Sequence, residues 1–415
     1  MIGCIADDYT GGTDVAAALR RAGLHTVLLF GAPTGDIDPP PGCEAVVVAL
    51  KTRTIPAADA VRQSLDVQQW LQQRGVRQVY FKYCSTFDST DDGNIGPVTD
   101  ALLDRAAESM TLISPASPEH GRTVYQGHLF VNGVLLSQSP MRHHPLTPMT
   151  DPDLVRVLGR QTKHPVGLLP LTVVREGSSA IVAHLRRLRA DAIRHVVVDA
   201  TEDADLLAVA AAAGEYPLLT GGAGLAGALG QHLAADRHDP AVTPRTPVAG
   251  PGIVLAGSCS AATLEQLEHA RKVFPSYRLD PASTPDPTRL LEQATGWLRA
   301  NLGDTPVLIY SSAASEQREA AVAAMGPDTA DILERTLGTL ARTAVELGAR
   351  RVVVAGGETS GAVVNALGIQ TVVVTDEADR GVPWCRTTGT PALDLLLKSG
   401  NFGKPDLLVR SMEEV

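Results

Sequence analysis

The chain has 415 residues, a formal net charge of −10 and only 4% aromatic residues. The acidic balance and the shortage of stacking rings argue against a nucleic-acid partner, and no apolar stretch reaches the ~20 residues of a membrane span. The start of the chain carries no basic leader. Its five cysteines are scattered without a C-x-x-C pair, so a cytoplasmic enzyme with reduced thiols and no protein metal site is expected.

In chain order, Ile2–Ala6 reads as a strand that runs into Asp7, Asp8, Thr10 and a Gly11-Gly12 turn, with a helix from about Thr13. Strand alternation would put Asp7 and Asp8 on opposite faces unless the backbone twists. One could take a proton from a substrate hydroxyl while the other orients loop amides or a metal-bound water. The blander alternative is a pair of helix-capping acids. The run Val46–Val48 ends at Lys51-Thr52-Arg53, where a guanidinium could clasp a carboxylate with both arms. Residues 56–73 have a helical pattern. A further strand exits at Lys82 into a hydroxyl-rich loop with Ser85 and Asp88, followed by Gly93-Asn94-Ile95-Gly96. Ammonium and hydroxyl groups suit a small polyhydroxy carboxylate.

Residues 123–139 read as an inserted β-hairpin, turned by Asn132-Gly133. His143 and His144 follow it and read first as polar loop contacts. Ser178–Ala190 is helical and Val196–Val198 a strand. Gly222–Gly227 matches G-x-G-x-x-G, but no acidic residue at the end of a second strand follows it, which favours close helix–sheet packing over a dinucleotide site. Asp236–Pro251 is proline-rich and aperiodic, a linker pattern.

Beyond it, Ile253–Leu255, Val352–Val354 and Val372–Val374 are continuous apolar runs, as strands covered on both faces should be; 331–347 is helical. The β-α-β rhythm gives the fold class α/β: two α/β domains with mainly parallel sheets and the hairpin inserted in the first. The boundaries expected are 1–238, a linker over 239–250, and 251–415. Three small-residue loops follow strands of the second domain: Gly257-Ser258-Cys259-Ser260, Gly356-Gly357-Glu358-Thr359-Ser360-Gly361, and Ser399-Gly400-Asn401-Phe402-Gly403. Exposed amides at a helix start and nearby hydroxyls make a phosphate cradle. The Gly-Lys-Ser/Thr ending of a P-loop is absent.

In order, Ala6-Asp7-Asp8-x-Thr10-Gly11, Gly93–Gly96, Thr220-Gly221-Gly222-x-Gly224-Leu225-Ala226, Gly257–Ser260 and Gly356–Gly361 resemble the four-carbon acid sugar kinases over nearly the whole chain. Lys82–Thr90, Tyr125–Val131 and Met141–Pro148 resemble the 3-oxo-tetronate branch. The threonate and erythronate kinases tend to carry Leu-Arg before the Gly-Asn loop, where this chain has Asp91-Asp92.

The resemblance implies transfer of the ATP γ-phosphate, with Mg²⁺, to the C4 hydroxyl of 3-oxo-tetronate in four-carbon acid sugar catabolism. It implies a first domain that binds the sugar acid through Thr10, Gly11, Arg53, Lys82, Ser85, Asp88 and Asn94. Asp8 or Asp7 would be the base. ATP would be held by Ser258, by Gly356, Gly357, Glu358, Thr359, Ser360 and Gly361, and by Gly400, Asn401 and Gly403, with domain closure aligning the reactants. The expected partners are the sugar acid and ATP, with a homodimer left open. The alternatives are a D-threonate or D-erythronate kinase and, from another class, a sensor that binds sugar acid and nucleotide without transfer.

Overall fold

The computed structural model describes residues 1–33, 37–144, 146–235 and 246–413. The chain divides into two compact units, Met1–Ala241 and Val242–Val415. Of the expected linker, 239–245 lies outside the described residues, and 246–250 carries neither helix nor strand.

The strands of the first unit are β1 (Ile2–Ala6), β2 (Thr26–Phe30), β3 (Ala45–Ala49), β4 (Gln78–Lys82), β5 (Thr111–Ser114), β6 (Arg122–Tyr125), β7 (His128–Val131), β8 (Val134–Leu135), β9 (Val166–Leu169), β10 (His195–Val198) and β11 (Leu218–Gly221). Its main sheet runs β2-β3-β1-β4-β11-β5-β10-β9, and every neighbouring pair is parallel. Val46, Val47 and Val48 are each almost fully buried, as a strand with helices on both faces requires. The helices at Ala57–Gln73 and Ser178–Ala190 fall where the periodicity puts them.

The order of the strands matters for the site. After β1 the chain builds β2 and β3 on one side, then crosses to place β4 on the other. That reversal at β1 is a topological switch point, where open α/β sheets bind ligands outside the carboxyl ends of the strands. Register puts Ala6 level with Ala49 of β3 and Lys82 of β4, so the three loops that follow leave from one row.

Three local expectations change. The helix after β1 begins at Tyr9, four residues before Thr13, with Asp8 as its N-cap. The side chain of Asp8 accepts the Gly11 N–H at 2.8 Å, and this cap lets the helix start before the glycines. The expected hairpin is a three-stranded antiparallel sheet, β6-β7-β8. Asn132 and Gly133 make its second turn with positive φ, and Gln126 (φ 49°) with Gly127 make the first. Glutamine is a weak signal for such a turn. The turn holds because the carboxylate of buried Asp199 accepts both N–H groups, at 2.8 and 2.9 Å.

The strands of the second unit are β12 (Gly252–Ala256), β13 (Ser276–Arg278), β14 (Val307–Tyr310), β15 (Arg351–Ala355), β16 (Thr371–Asp379), β17 (Val382–Thr387) and β18 (Asp394–Lys398). They are ordered β13-β14-β12-β15-β18-β17-β16. The first five are parallel, and β17 and β16 are antiparallel additions. Val372–Val374 therefore departs from its expectation: it alternates between half-buried and buried positions, because its strand lies in an antiparallel pair with one face less covered. Val254, Val353, Leu396, Trp384 and Leu407 form the apolar core on one side of this sheet.

Candidate active site

The carboxyl ends of β1, β3 and β4 bring charged side chains together. Arg53, in the loop after β3, donates from Nε and Nη2 to the two oxygens of Asp7 at 2.9 and 2.8 Å. The same Nη2 donates to Asp8 Oδ1 at 2.8 Å. Asp88 Oδ2 lies 3.7 Å from Nη1. The strand ends at Ala6, so alternation no longer governs Asp7 and Asp8, and one guanidinium gathers both. The bidentate clasp expected of Arg53 is thus made with the protein's own Asp7. Burial works against the Arg53 charge, but Asp7 and Asp8 outweigh it and raise its pKa well above the ordinary guanidinium value. For Asp7, burial dominates and pushes the carboxyl above the usual range, with Arg53 pulling it back.

The two acids differ in what they leave free. Both oxygens of buried Asp7 are spent on Arg53. Half-buried Asp8 has Oδ1 committed to Arg53 and the Gly11 amide, while Oδ2 has no protein partner among the described residues. Gly11 is needed for this approach: a Cβ there would sit 2.3 Å from Asp8 Oδ1.

Asp88 is aimed by an unusual turn. Phe87 and Asp88 both have positive φ, 67° and 44°, at roughly 1–3 kcal/mol each for non-glycine residues. The Phe87 ring, 1% exposed, packs edge-on to Tyr83 at 5.6 Å. Thr86 Oγ1 donates to Asp88 Oδ1 at 2.7 Å. These contacts hold the strained pair. Asp7, Thr52, Arg53, Asp88, Ser89 and Asn94 line a small recess. Thr10 and Ser85 are half-exposed nearby in sequence to Asp8 and Asp88.

Other expected residues stand behind this group. Asn94 Nδ2 donates to the carbonyls of Thr52 and Ile55 at 2.7 and 2.9 Å and so fixes the loop that carries Arg53. Lys82 is buried, donates to the Tyr83 carbonyl at 2.8 Å, and lies 3.9 Å from Asp14. Asp14 was not expected. Burial raises its carboxyl pKa, while Lys82 and His120 pull it down. It lies on the first helix beyond the motif that marks Asp8, and nothing in the sequence connects it to Lys82.

In the second unit the loops after β12, β15 and β18 also leave from one row: Ala355 is level with Ala256 and with Lys398. The amides of Gly257 and Ser258 donate to the Ala355 carbonyl at 3.1 and 3.2 Å, and that of Gly356 to the Lys398 carbonyl at 3.0 Å. Gly356 has φ 133°, a conformation open chiefly to glycine. The helix then starts at Gly357, so Glu358, Thr359, Ser360 and Gly361 form its first turn. Gly357 is half-exposed and Glu358 exposed, while Thr359, Ser360 and Gly361 are buried.

In the third loop Asn401 is exposed, and Gly400 and Gly403 are half-exposed. A Cβ on Gly400 would meet Ser258 Oγ at 2.4 Å, so the loops interlock. Beside them opens a mainly apolar cavity of about 170 Å³, reached by Gly257, Cys259 and Thr359 from the loops and by Leu279, Val322 and Leu333 from elsewhere. Those last three lie in ordinary amphipathic segments, which is why they carry no signal in the sequence. The G-x-G-x-x-G stretch packs as expected: a Cβ on Gly222 or Gly224 would sit 2.7 or 2.6 Å from a carbonyl of Pro115 or Ala116.

Among the described residues, no group of three His, Cys, Asp or Glu side chains could hold a metal ion, and no helix is long and apolar enough to cross a membrane.

Comparison with known proteins covers both units. Residues 2–229 match the family model of a sugar-binding N-terminal domain, and residues 253–408 that of a nucleotide-binding C-terminal domain. A 3-oxo-tetronate kinase of Burkholderia multivorans is 47% identical over 99% of this chain and 96% of its own length. One of Cupriavidus necator is 46% identical over 100% and 97%. The crystal structure of a Salmonella typhimurium LT2 protein, described provisionally as a tRNA synthase, matches with TM-score 0.91 at 40% identity over 100% of this chain and 99% of the other.

Proposed function

The chain belongs to the four-carbon acid sugar kinases, with the 3-oxo-tetronate kinases among its relatives, and from that membership we propose how its residues share the reaction. It is an ATP-dependent kinase that phosphorylates the C4 hydroxyl of 3-oxo-tetronate.

The first unit takes the sugar acid at the ends of β1, β3 and β4. Asp8 is the base, and the observation that carries this choice over Asp7 is the unshared Oδ2 of Asp8. Arg53 and Asp7 form the fixed pair that orients it. Asp88 and Ser85 face the substrate hydroxyls, with Thr10 beside them; Gly11, its amide spent on Asp8, gives room for that carboxylate, and Lys82 and Asn94 hold the loops from behind.

The second unit takes ATP. The helix amides of Gly357, Glu358 and Thr359, with Ser258 and the Gly400–Gly403 loop, receive the phosphates, the Ser360 amide being spent on the Gly356 carbonyl, and the apolar cavity receives the base. The donor set suits an ion that enters with the nucleotide, since Mg²⁺ takes its oxygen ligands largely from phosphates and water. Bound there, it would neutralise the triphosphate. Phosphoryl transfer needs the hydroxyl and the γ-phosphorus in line, about 3–3.5 Å apart. Asp8 then accepts the hydroxyl proton as the new bond forms.

The test is ADP release with Mg-ATP and 3-oxo-tetronate, D-threonate, L-threonate, D-erythronate or no acid. Turnover confined to the 3-oxo acid is the expected result. Turnover with a reduced acid instead would overturn the assignment of the β4 loop to the 3-oxo substrate.

A further inference from the structure

Lys398 ends β18, directly before the third loop of the second unit. Its side chain is fully buried. The ammonium donates to Thr263 Oγ1 at 3.0 Å and to the Gly400 carbonyl at 3.1 Å. The same carbonyl accepts Ser260 Oγ at 2.6 Å and Thr263 Oγ1 at 2.9 Å. Lys398 is therefore wired to the loops after β12 and β18 and to the first turn of the helix Ala261–Ala270, whose N-cap is Ser260.

No carboxylate among the described residues pairs with it. The titratable and charged groups on the elements around it are Cys259, Glu265, Glu268 and His269 by that helix, Glu358 on the helix after β15, Glu377, Asp379 and Arg380 at the β16–β17 turn, and Lys404, Asp406 and Arg410 beyond the loop. Asp379 is taken up by the Lys404 amide and by Arg410. Burial alone acts on the charge of Lys398 and pushes its pKa down to about 7. A buried cation without a counter-ion is costly, and this one braces the loops given the nucleotide phosphates above.

We propose that Lys398 is a positioning residue for the nucleotide phosphates, a buried charge that acts through Thr263, Ser260 and the Gly400 carbonyl, and that nucleotide binding draws a proton onto it. This rests on the nucleotide role given to these loops above. The sign follows from linkage. The complex favours the charged lysine, so its pKa rises on binding. Affinity is highest below the value of the free protein and falls as pH rises from about 7 toward that of the complex, by up to about tenfold per unit.

The test is calorimetric titration of the full-length protein with Mg-ADP near pH 8, in two buffers of different ionisation heat. The phosphates of the magnesium nucleotide are fully ionised there, so they do not contribute protons. Most of one proton should be taken up per nucleotide. Lys398→Met should abolish the uptake and flatten the pH dependence of affinity. Lys398→Arg, which cannot shed its charge, should bind without uptake and keeps the test open should the methionine variant fail to fold. Binding without uptake in the unaltered protein overturns the proposal and leaves the nucleotide reading standing; so does uptake that survives in Lys398→Met. Gly400→Val separates the two levels: Mg-ADP affinity unchanged by it would remove the nucleotide from these loops, and the proposal with it.

Discussion

At the ends of β1, β3 and β4 the first unit gathers three carboxylates about one guanidinium, whereas at the ends of β12, β15 and β18 the second offers glycines, hydroxyls and helix amides. Within each unit the loops leave from a single row of that unit's own parallel strands, so the two scaffolds are alike and the furnishing differs. Ionised side chains out of water need partners whether or not a ligand is present, and Arg53 meets that need with Asp7 and Asp8. Amides and hydroxyls carry only partial charge and can wait for an anion. The first arrangement suits moving a proton and the second suits holding phosphate.

Four substitutions would break or sharpen that contrast. Arg53→Met strands Asp7 in a buried site and should cost about 3–5 kcal/mol of stability, read as a fall in melting temperature. Without Arg53 the already raised Asp7 pKa climbs further. A carboxyl whose folded value lies above its unfolded one loses stability as pH rises between the two. The destabilisation should therefore be larger near pH 8 than near pH 5, and an equal loss at both would detach Asp7 from the effect. Asp8→Asn keeps a good helix cap and should lower turnover by ~10²-fold or more with Mg-ADP binding intact; an unchanged rate removes Asp8 as the base. Gly400→Val overfills the space beside Ser258 and should raise KM for ATP by about tenfold, or ~1.4 kcal/mol, with sugar-acid binding spared. Thr86→Val removes one buried hydrogen bond to Asp88 and should cost about 1 kcal/mol, seen as a small rise in KM for the sugar acid alone. Equal effects on both substrates would erase the division between the units.

The strands at Val46–Val48 and Val352–Val354 are legible because runs of β-branched residues have few other uses. Val372–Val374 looked the same and proved antiparallel, since composition reports burial without reporting the direction of the neighbour. Asp7, Asp8, Arg53 and Asp88 were legible singly as polar residues at strand ends. That Arg53 would bind the acids beside it could not be read, because their meeting depends on the register of three strands. Lys398 has the same signature as Lys82, a lysine closing an apolar run before a serine-containing loop, and nothing in that signature says that its side chain is buried without a carboxylate partner among the described residues. The cavity beside Gly257 had no signature at all, since its walls come from segments whose residues are equally at home in a core.

The strained Phe87-Asp88 turn and its neighbours also bear on how the cycle ends. Asp88 is fixed beside Asp7 and Asp8, so the rim holds more negative charge than positive. A tetronate arrives with one negative charge, and phosphorylation adds roughly −1.5 to −2 more. The rim that tolerates the monoanion thus repels the ester made on it. Like charges in a partly dry site favour departure, so if the sugar acid binds at this rim as proposed, the phosphorylated product should leave readily and accumulated ester should be a weak competitor of fresh acid.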